Sequence, residues 1–148
     1  MELLKQAFEL AFDEAKKAED EGDVPVGAVI FADGKIISFA HNEREARRSP
    51  TAHAEILAIE RAAEIKADWR LSDASLVVTL EPCIMCAGAI INARIKNIYF
   101  SAPDKDAGAC GGRINVFNKN YNIVGGLYLP RGEKLITDFF TNRRKDCL

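Results

Sequence analysis

No stretch of this 148-residue chain is apolar for long enough to cross a bilayer. The longest apolar-dominated run, Cys83 to Ala93, is about half the ~20 residues that a spanning helix needs. Neither sign of charge dominates. Twenty Lys and Arg stand against 22 Asp and Glu, for a net charge of −2, so the chain as a whole lacks the basic footprint of a typical nucleic-acid binder. The opening Met1-Glu2-Leu3-Leu4-Lys5 begins an acidic amphipathic segment, and no secretory signal with its basic n-region is expected there. Cysteine is scarce, at four, and only Cys83 and Cys86 are close in sequence. That is no disulfide framework, and a reducing compartment, the cytoplasm, is expected. Linkers, internal repeats and low-complexity segments are missing too, which predicts one domain over residues 1–148 with room for a real core.

What is present is ordinary in bulk: 48% apolar and 28% charged residues, the composition of a soluble globular protein. The charge is unevenly distributed. Residues 1–23 carry eight acids against three lysines, Arg44, Arg47 and Arg48 stand together, and Arg143, Arg144 and Lys145 gather near the end. Each such cluster reads equally as a solvated face or as a contact surface.

Periodicity gives the elements. Leu3, Leu4, Ala7, Phe8, Ala11, Phe12, Ala15 and Ala18 recur at helical spacing over residues 2–21, with Gly22 as a stop. Two β-rich runs, 26–31 and 35–39, flank Asp33-Gly34 and predict a tight hairpin. A loop over 42–50 precedes a helix over 51–67, with Ile56, Leu57, Ile59, Ala63 and Ile65 on its buried side. A strand at 75–80 is followed by a helix over 83–93, with Pro82 suited to its first position. A strand at 95–100, an ambiguous Gly-containing stretch at 104–120, a strand at 121–127 and a helix at 133–145 complete the series. That last helix is expected to turn Leu135, Ile136, Phe139 and Phe140 inward. The order predicts an α/β fold with a mixed five-stranded sheet covered by helices on both faces. His41 and Trp69 are expected to be structural or packing residues, and Cys110 and Cys147 free thiols.

The chemistry concentrates at His53-Ala54-Glu55 and Pro82-Cys83-Ile84-Met85-Cys86. One imidazole and two thiolates make three good zinc donors, and three protein ligands leave a tetrahedral ion open for water, as in a catalytic site. A closed structural site needs a fourth ligand. The remaining donors of these types, His41, Cys110 and Cys147, do not stand at finger or knuckle spacing. Placed in the first turns of two helices, His53, Cys83 and Cys86 would lie where the helix dipoles favour thiolate. Glu55, two residues past His53, then falls on a different side of the turn, where a general acid/base can face the open position.

His53-x-Glu55 with Pro82-Cys83-x-x-Cys86 is the signature of zinc-dependent deaminases. The chain resembles the bacterial tRNA adenosine deaminases over nearly its whole length. Val24-Pro-Val-Gly-Ala-Val29, Asn42, Pro50 to Ile56, Val78 to Ala89, Ser101-Ala-x-Asp104 and Asp138-Phe-Phe-x-x-Arg143-Arg144 carry the likeness. The resemblance implies a three-layer α/β/α cytidine-deaminase-like fold, one zinc ion on His53, Cys83 and Cys86, and hydrolysis of adenosine to inosine with Glu55 moving the protons. It further implies that Asn42 bonds the base, that the Ala54 N–H meets the incoming oxygen, and that Asp104 lies near the target nucleotide. The substrate would be the anticodon loop of a tRNA, with Arg143 and Arg144 on its phosphates, and the protein a homodimer. Residues 115–126 run shorter than in many tRNA-acting members and contain no His, so deamination of a free base or nucleoside stands as the alternative.

Overall fold

The computed structural model describes residues 2–146, and the side chains of 144–146 lie outside that description. Five strands form one sheet in the order β2-β1-β3-β4-β5: β1 (Gly27–Ala32), β2 (Lys35–His41), β3 (Ala74–Leu80), β4 (Asn97–Ala102) and β5 (Asn122–Val124). β1 runs antiparallel to β2 and β3, while β3, β4 and β5 are parallel. The expected hairpin turns at Asp33 and Gly34, with φ of 52° and 77°. Positive φ at both central residues is what a two-residue turn of this hand requires, and Asp-Gly supplies it cheaply.

Helices cover both faces. Val29 and Val77 point to one side, where they meet Ala7, Phe8, Ala11 and Phe12 of α1 (Glu2–Asp20). Leu135 of α5 (Leu129–Asp146) packs on the same cluster. Ala28, Ile30, Leu76, Val78 and Ile98 point the other way, toward Leu57, Ala58 and Ala62 of α3 (Ala54–Lys66) and Ala87 and Ile90 of α4 (Ile84–Asn92). Strands buried on both faces lose the polar alternation of a half-exposed sheet, which is why 26–31 and 75–80 read as nearly continuous apolar runs.

The boundaries differ from the sequence expectations where capping intervenes. α3 starts at Ala54 because His53 is extended (φ −78°, ψ 150°) and forms its N-cap. Cys83 caps α4 in the same way, so Pro82 lies one residue before the cap instead of at the first helical position. A short helix, α2 (Arg44–Arg47), occupies the loop expected over 42–50. α5 begins at Leu129 with Pro130 in its first turn, where the missing N–H costs nothing. The stretch at 104–120 contains no helix, and short bridges join Cys83 to Gly108 and Cys110 to Asn115.

Burial also corrects the expected faces. Ile65 is 64% exposed, and α3 instead buries Ala54, Glu55, Leu57, Ala58 and Ala62. These mostly small residues let the helix lie close to β2, where the Ser38 hydroxyl donates to the Ala58 carbonyl at 2.8 Å. Phe140 is exposed and Phe139 buried. Trp69 is 52% exposed, with the Arg70 and Arg94 guanidinium carbons 4.4 and 5.3 Å from its ring centre. His41 is structural, holding Glu14 at 3.0 Å and Glu21 at 3.3 Å. Two residues of the acidic N-terminal run are interior, Glu14 and Asp23. Burial raises the Glu14 pKa, but hydrogen bonds from Lys17 and His41 outweigh it and hold the carboxyl below its ordinary value. Asp23 accepts the backbone N–H groups of Val24 and Glu45.

α1 lies tightly against the sheet at Gly27, where a Cβ would strike the Ala11 carbonyl oxygen and stand 2.8 Å from the Ala15 nitrogen. Both are helix backbone and cannot rotate away. Gly27→Ala is expected to cost about 3 kcal/mol in urea denaturation. Gly88→Ala, on the exposed side of α4 with nothing within 4 Å, is expected to be neutral or mildly stabilising.

Candidate active site

Two helix starts meet at one point. His53 caps α3 and Cys83 caps α4, while Cys86 follows in the first turn of α4. The His53 Nδ1 lies 3.7 Å from the Cys83 Sγ and 3.6 Å from the Cys86 Sγ, and all three donor atoms fall within 4.8 Å of one another. A tetrahedral ion with Zn–S of about 2.3 Å and Zn–N of about 2.1 Å separates sulfur from nitrogen by about 3.6 Å. The donor set therefore has the spacing of zinc ligands, with Nδ1 as the coordinating nitrogen. Among the described residues no fourth His, Cys, Asp or Glu joins this group.

Without a metal, the three groups settle their charge among themselves. The Cys86 thiol hydrogen-bonds to Cys83 and, with His53 beside it, brings the Cys83 pKa down to about 3. Cys86, bonded to its partner and buried, moves the opposite way. His53 is raised, chiefly by its hydrogen bond to Cys83. Binding a metal would displace the protons these donors hold, since imidazole and thiol ligate only when deprotonated.

Glu55 stands in the first turn of α3, 4% exposed and outside the donor set. Burial pushes its pKa up to about 7. It lines a cavity of about 480 Å³ together with His53, Cys83, Asn42 and Asp104, within the size range of small-ligand pockets. Asn42, 5% exposed, accepts the Ala54 N–H on Oδ1 at 2.8 Å. A backbone N–H can only donate, so the side-chain oxygen must face it and the amide nitrogen is left for other partners. The Ala54 N–H, expected to meet an incoming oxygen, donates instead to Asn42.

The remaining expected residues divide. Asp104 is at the cavity wall, and its Oδ1 also accepts the N–H groups of Asp106 and Ala107 at 3.0 and 3.1 Å, shaping its own turn. Arg143 is outside this cavity, with its guanidinium 5.6 Å from the Phe139 ring centre, and the Arg144 side chain and Cys147 lie outside the described residues. Cys110 is a free thiol whose burial pushes its pKa up to about 12.

Two contributors escape a reading of the sequence, and a third is only half legible. Arg44, one of the clustered arginines left open between a solvated face and a contact surface, reaches the cavity, as does Lys105, which nothing in its local sequence distinguishes from other surface cations. Glu81, 3% exposed, accepts the N–H groups of Asp104, Cys110 and Gly112. Its position directly before Pro82-Cys83 was visible, but partners that are backbone groups 23–31 residues away leave no side-chain pattern to find. On the membrane side, no helix among the described residues is long and apolar enough to cross a bilayer.

Comparison with known proteins follows the same lines. Residues 4–144 match the family model of the MafB19-like deaminases. A tRNA-specific adenosine deaminase of Bacillus subtilis is 42% identical over 91% of this chain and 87% of its own length. A solved structure from studies of A-to-I editing by tRNA:A34 deaminases at the wobble position superposes with a TM-score of 0.82. It is 36% identical and covers 88% of this chain and 99% of that one. A guanine deaminase from Bacillus subtilis fits less completely, at a TM-score of 0.63 and 38% identity over 70% of this chain and 64% of that one. The three-layer fold is thus the cytidine-deaminase-like one, and the chain belongs to the MafB19-like deaminases and, among them, to the family of tRNA-specific adenosine deaminases.

Proposed function

We propose that this chain hydrolyses adenosine to inosine at the wobble position of tRNA, as one deaminase domain loaded with a single Zn2+. The observation that carries the reading is the His53-Cys83-Cys86 donor set at tetrahedral spacing with a buried carboxylate, Glu55, beside it and outside it. A closed structural metal site would give Glu55 no task.

Held by His53 Nδ1 and the two sulfurs, zinc would supply Lewis-acid activation of water. Glu55 would take a proton from the attacking water and deliver it to N1 of the adenine ring as the water oxygen bonds to C6. It then carries the second water proton to the departing amine. One proton stays on N1 of inosine and the other leaves with ammonia, so adenosine and water balance inosine and ammonia. Asn42, locked by the Ala54 N–H, presents its amide nitrogen to an acceptor on the base. Asp104, also lining the cavity, lies near the target nucleotide. Arg44 and Lys105 at the cavity, together with Arg143 and Arg144, contact phosphates in this reading.

An anticodon loop presents its bases unpaired, which spares most of the few kcal/mol that flipping costs. The cytoplasm, where tRNA is matured, is the proposed location. A homodimer is proposed as well. Ile84, directly after Cys83, is 62% exposed, and a second copy packed over this edge would cover it.

The deciding assay compares an anticodon stem-loop with a panel of free bases and nucleosides. Inosine is expected in the stem-loop, with no ammonia released from the panel. Ammonia from a free base and an untouched stem-loop would assign the site to small molecules.

Glu55→Ala is expected to keep one zinc per chain by elemental analysis while turnover falls about 10³-fold or more. Unchanged activity would remove Glu55 from the proton path. A further expectation concerns pH in the chelated protein. The folded state raises Glu55 from 4.5 to about 7, so between those values it binds more protons than the unfolded chain. The Glu55 contribution to stability of the metal-free protein is then fully present below pH 4.5 and is lost as pH rises through 7. The loss between pH 4.5 and pH 8 has a ceiling of about 3 kcal/mol. Glu55→Gln should remove this part of the slope, so urea denaturation at pH 5 and 8 should show the variant gaining on the wild type at the higher pH.

A further inference from the structure

Pro103, Asp104, Lys105, Asp106 and Ala107 line one wall of the cavity, at the start of a loop that runs on to residue 112. This wall has no helix and little sheet of its own. Backbone bonds tie it in part, with the Gly108 N–H on the Asp104 carbonyl and the Ala109 N–H on the Pro82 carbonyl, each at 2.9 Å, and a carboxylate from the neighbouring strand end adds three more. Glu81 Oε1 accepts the Asp104 N–H at 3.0 Å, and Oε2 accepts the N–H groups of Cys110 and Gly112 at 2.9 and 2.8 Å. Glu81 is buried, only 3% exposed. The loop is also shaped to admit it: a Cβ on Gly108 would strike the Glu81 carboxyl and the Asp104 carbonyl, and one on Gly112 would strike the same carbonyl and stand 2.6 Å from Glu81 Oε1.

We propose that Glu81 is a positioning residue, a clamp on the 103–112 loop that fixes how this wall grips the RNA substrate. A buried carboxylate taking three backbone N–H groups is a charge-assisted arrangement that no neutral side chain reproduces. Glutamine keeps the shape but offers one acceptor oxygen, and turns an NH2 group toward N–H donors. Glu81 acts through Asp104 and Lys105 and not on the reacting atoms. Its loss should therefore weaken substrate holding while leaving the metal ligands and Glu55 in place. The RNA part of this inference rests on the function proposed above; the hold on the loop does not.

The test uses full-length, zinc-loaded protein carrying Glu81→Gln. Hydrogen exchange is followed by mass spectrometry in peptides covering 103–113 and 84–92, zinc is counted per chain, and KM and kcat are measured on an anticodon stem-loop. Exchange in 103–113 is expected to rise about tenfold or more, with 84–92 and the zinc count unchanged. KM should rise about tenfold with kcat within about threefold of the wild type. Wild-type exchange in the loop, loss of zinc, or a fall in kcat at unchanged KM would each overturn the proposal. Should Glu81→Gln not fold, Gly112→Ala crowds the same carboxylate from the loop side and leaves β3 untouched. The same signature is expected from it, and wild-type exchange and KM would overturn the proposal. If the wild-type protein leaves the stem-loop unmodified, the function reading fails on that result alone, while the exchange measurement still decides the clamp.

Discussion

Everything at this site depends on two helices starting at the same place. α3 and α4 lie side by side on one face of the sheet; α4 follows the end of β3 and α3 follows the short α2 and its connection, yet both aim their first residues at a common point. His53 and Cys83 are both extended cap residues, so their side chains project beyond the helix body, and Cys86 returns from the first turn to meet them. The peptide dipoles of both helices present their positive ends there, which favours thiolate over thiol. Chain segments separated by 30 residues in sequence thus provide a donor set at ligand spacing, and the sheet beneath them keeps it rigid.

Around this point the protein satisfies its interior polar groups with backbone donors more than with opposite charges. Among the described residues, no buried side-chain nitrogen or oxygen lacks a hydrogen-bond partner. Asn42 takes the Ala54 N–H, Asp23 takes two N–H groups, and Glu81 takes three. Such bonds are short and directional and fix loops that have no core of their own. Glu55 is the contrast. It is as buried as the others, yet burial dominates its proton affinity and pushes it upward. A carboxyl whose charge is poorly compensated is costly to keep, and such groups gather where proton transfer is needed.

The donor set and Glu55 were legible in the sequence because ligand chemistry is restricted to few residue types, and His-x-Glu with Cys-x-x-Cys leaves little freedom in how they meet. The sheet and its flanking helices were legible from periodicity. What failed to show was decided at longer range. The N-caps moved α3 and α4 later than apolar spacing implied, since an extended His53 or Cys83 is dictated by where the chain arrives. Ile65 read as core because it is apolar, but the alanines of α3 claim the sheet and leave it outside. Glu14 and Asp23 looked like part of a charged surface, and only the fold reveals that His41, Lys17 and two backbone groups enclose them. Glu81 was hidden for the same reason, since a side chain that binds main chain carries no partner code.

The exposed indole at Trp69 has a practical meaning. It is the sole tryptophan of the chain, and it follows the C-terminal end of α3, whose 13 residues separate it from the cap at His53 by roughly 20 Å. Two guanidinium groups flank its ring, one from Arg70 and one from Arg94 just beyond α4. Its emission consequently reports whether the far ends of these two helices stay together, and it does so from a vantage remote from metal and nucleotide. Loading or emptying the cavity should leave that optical signal nearly still, so the protein carries a built-in gauge of global unfolding that its own ligands do not perturb.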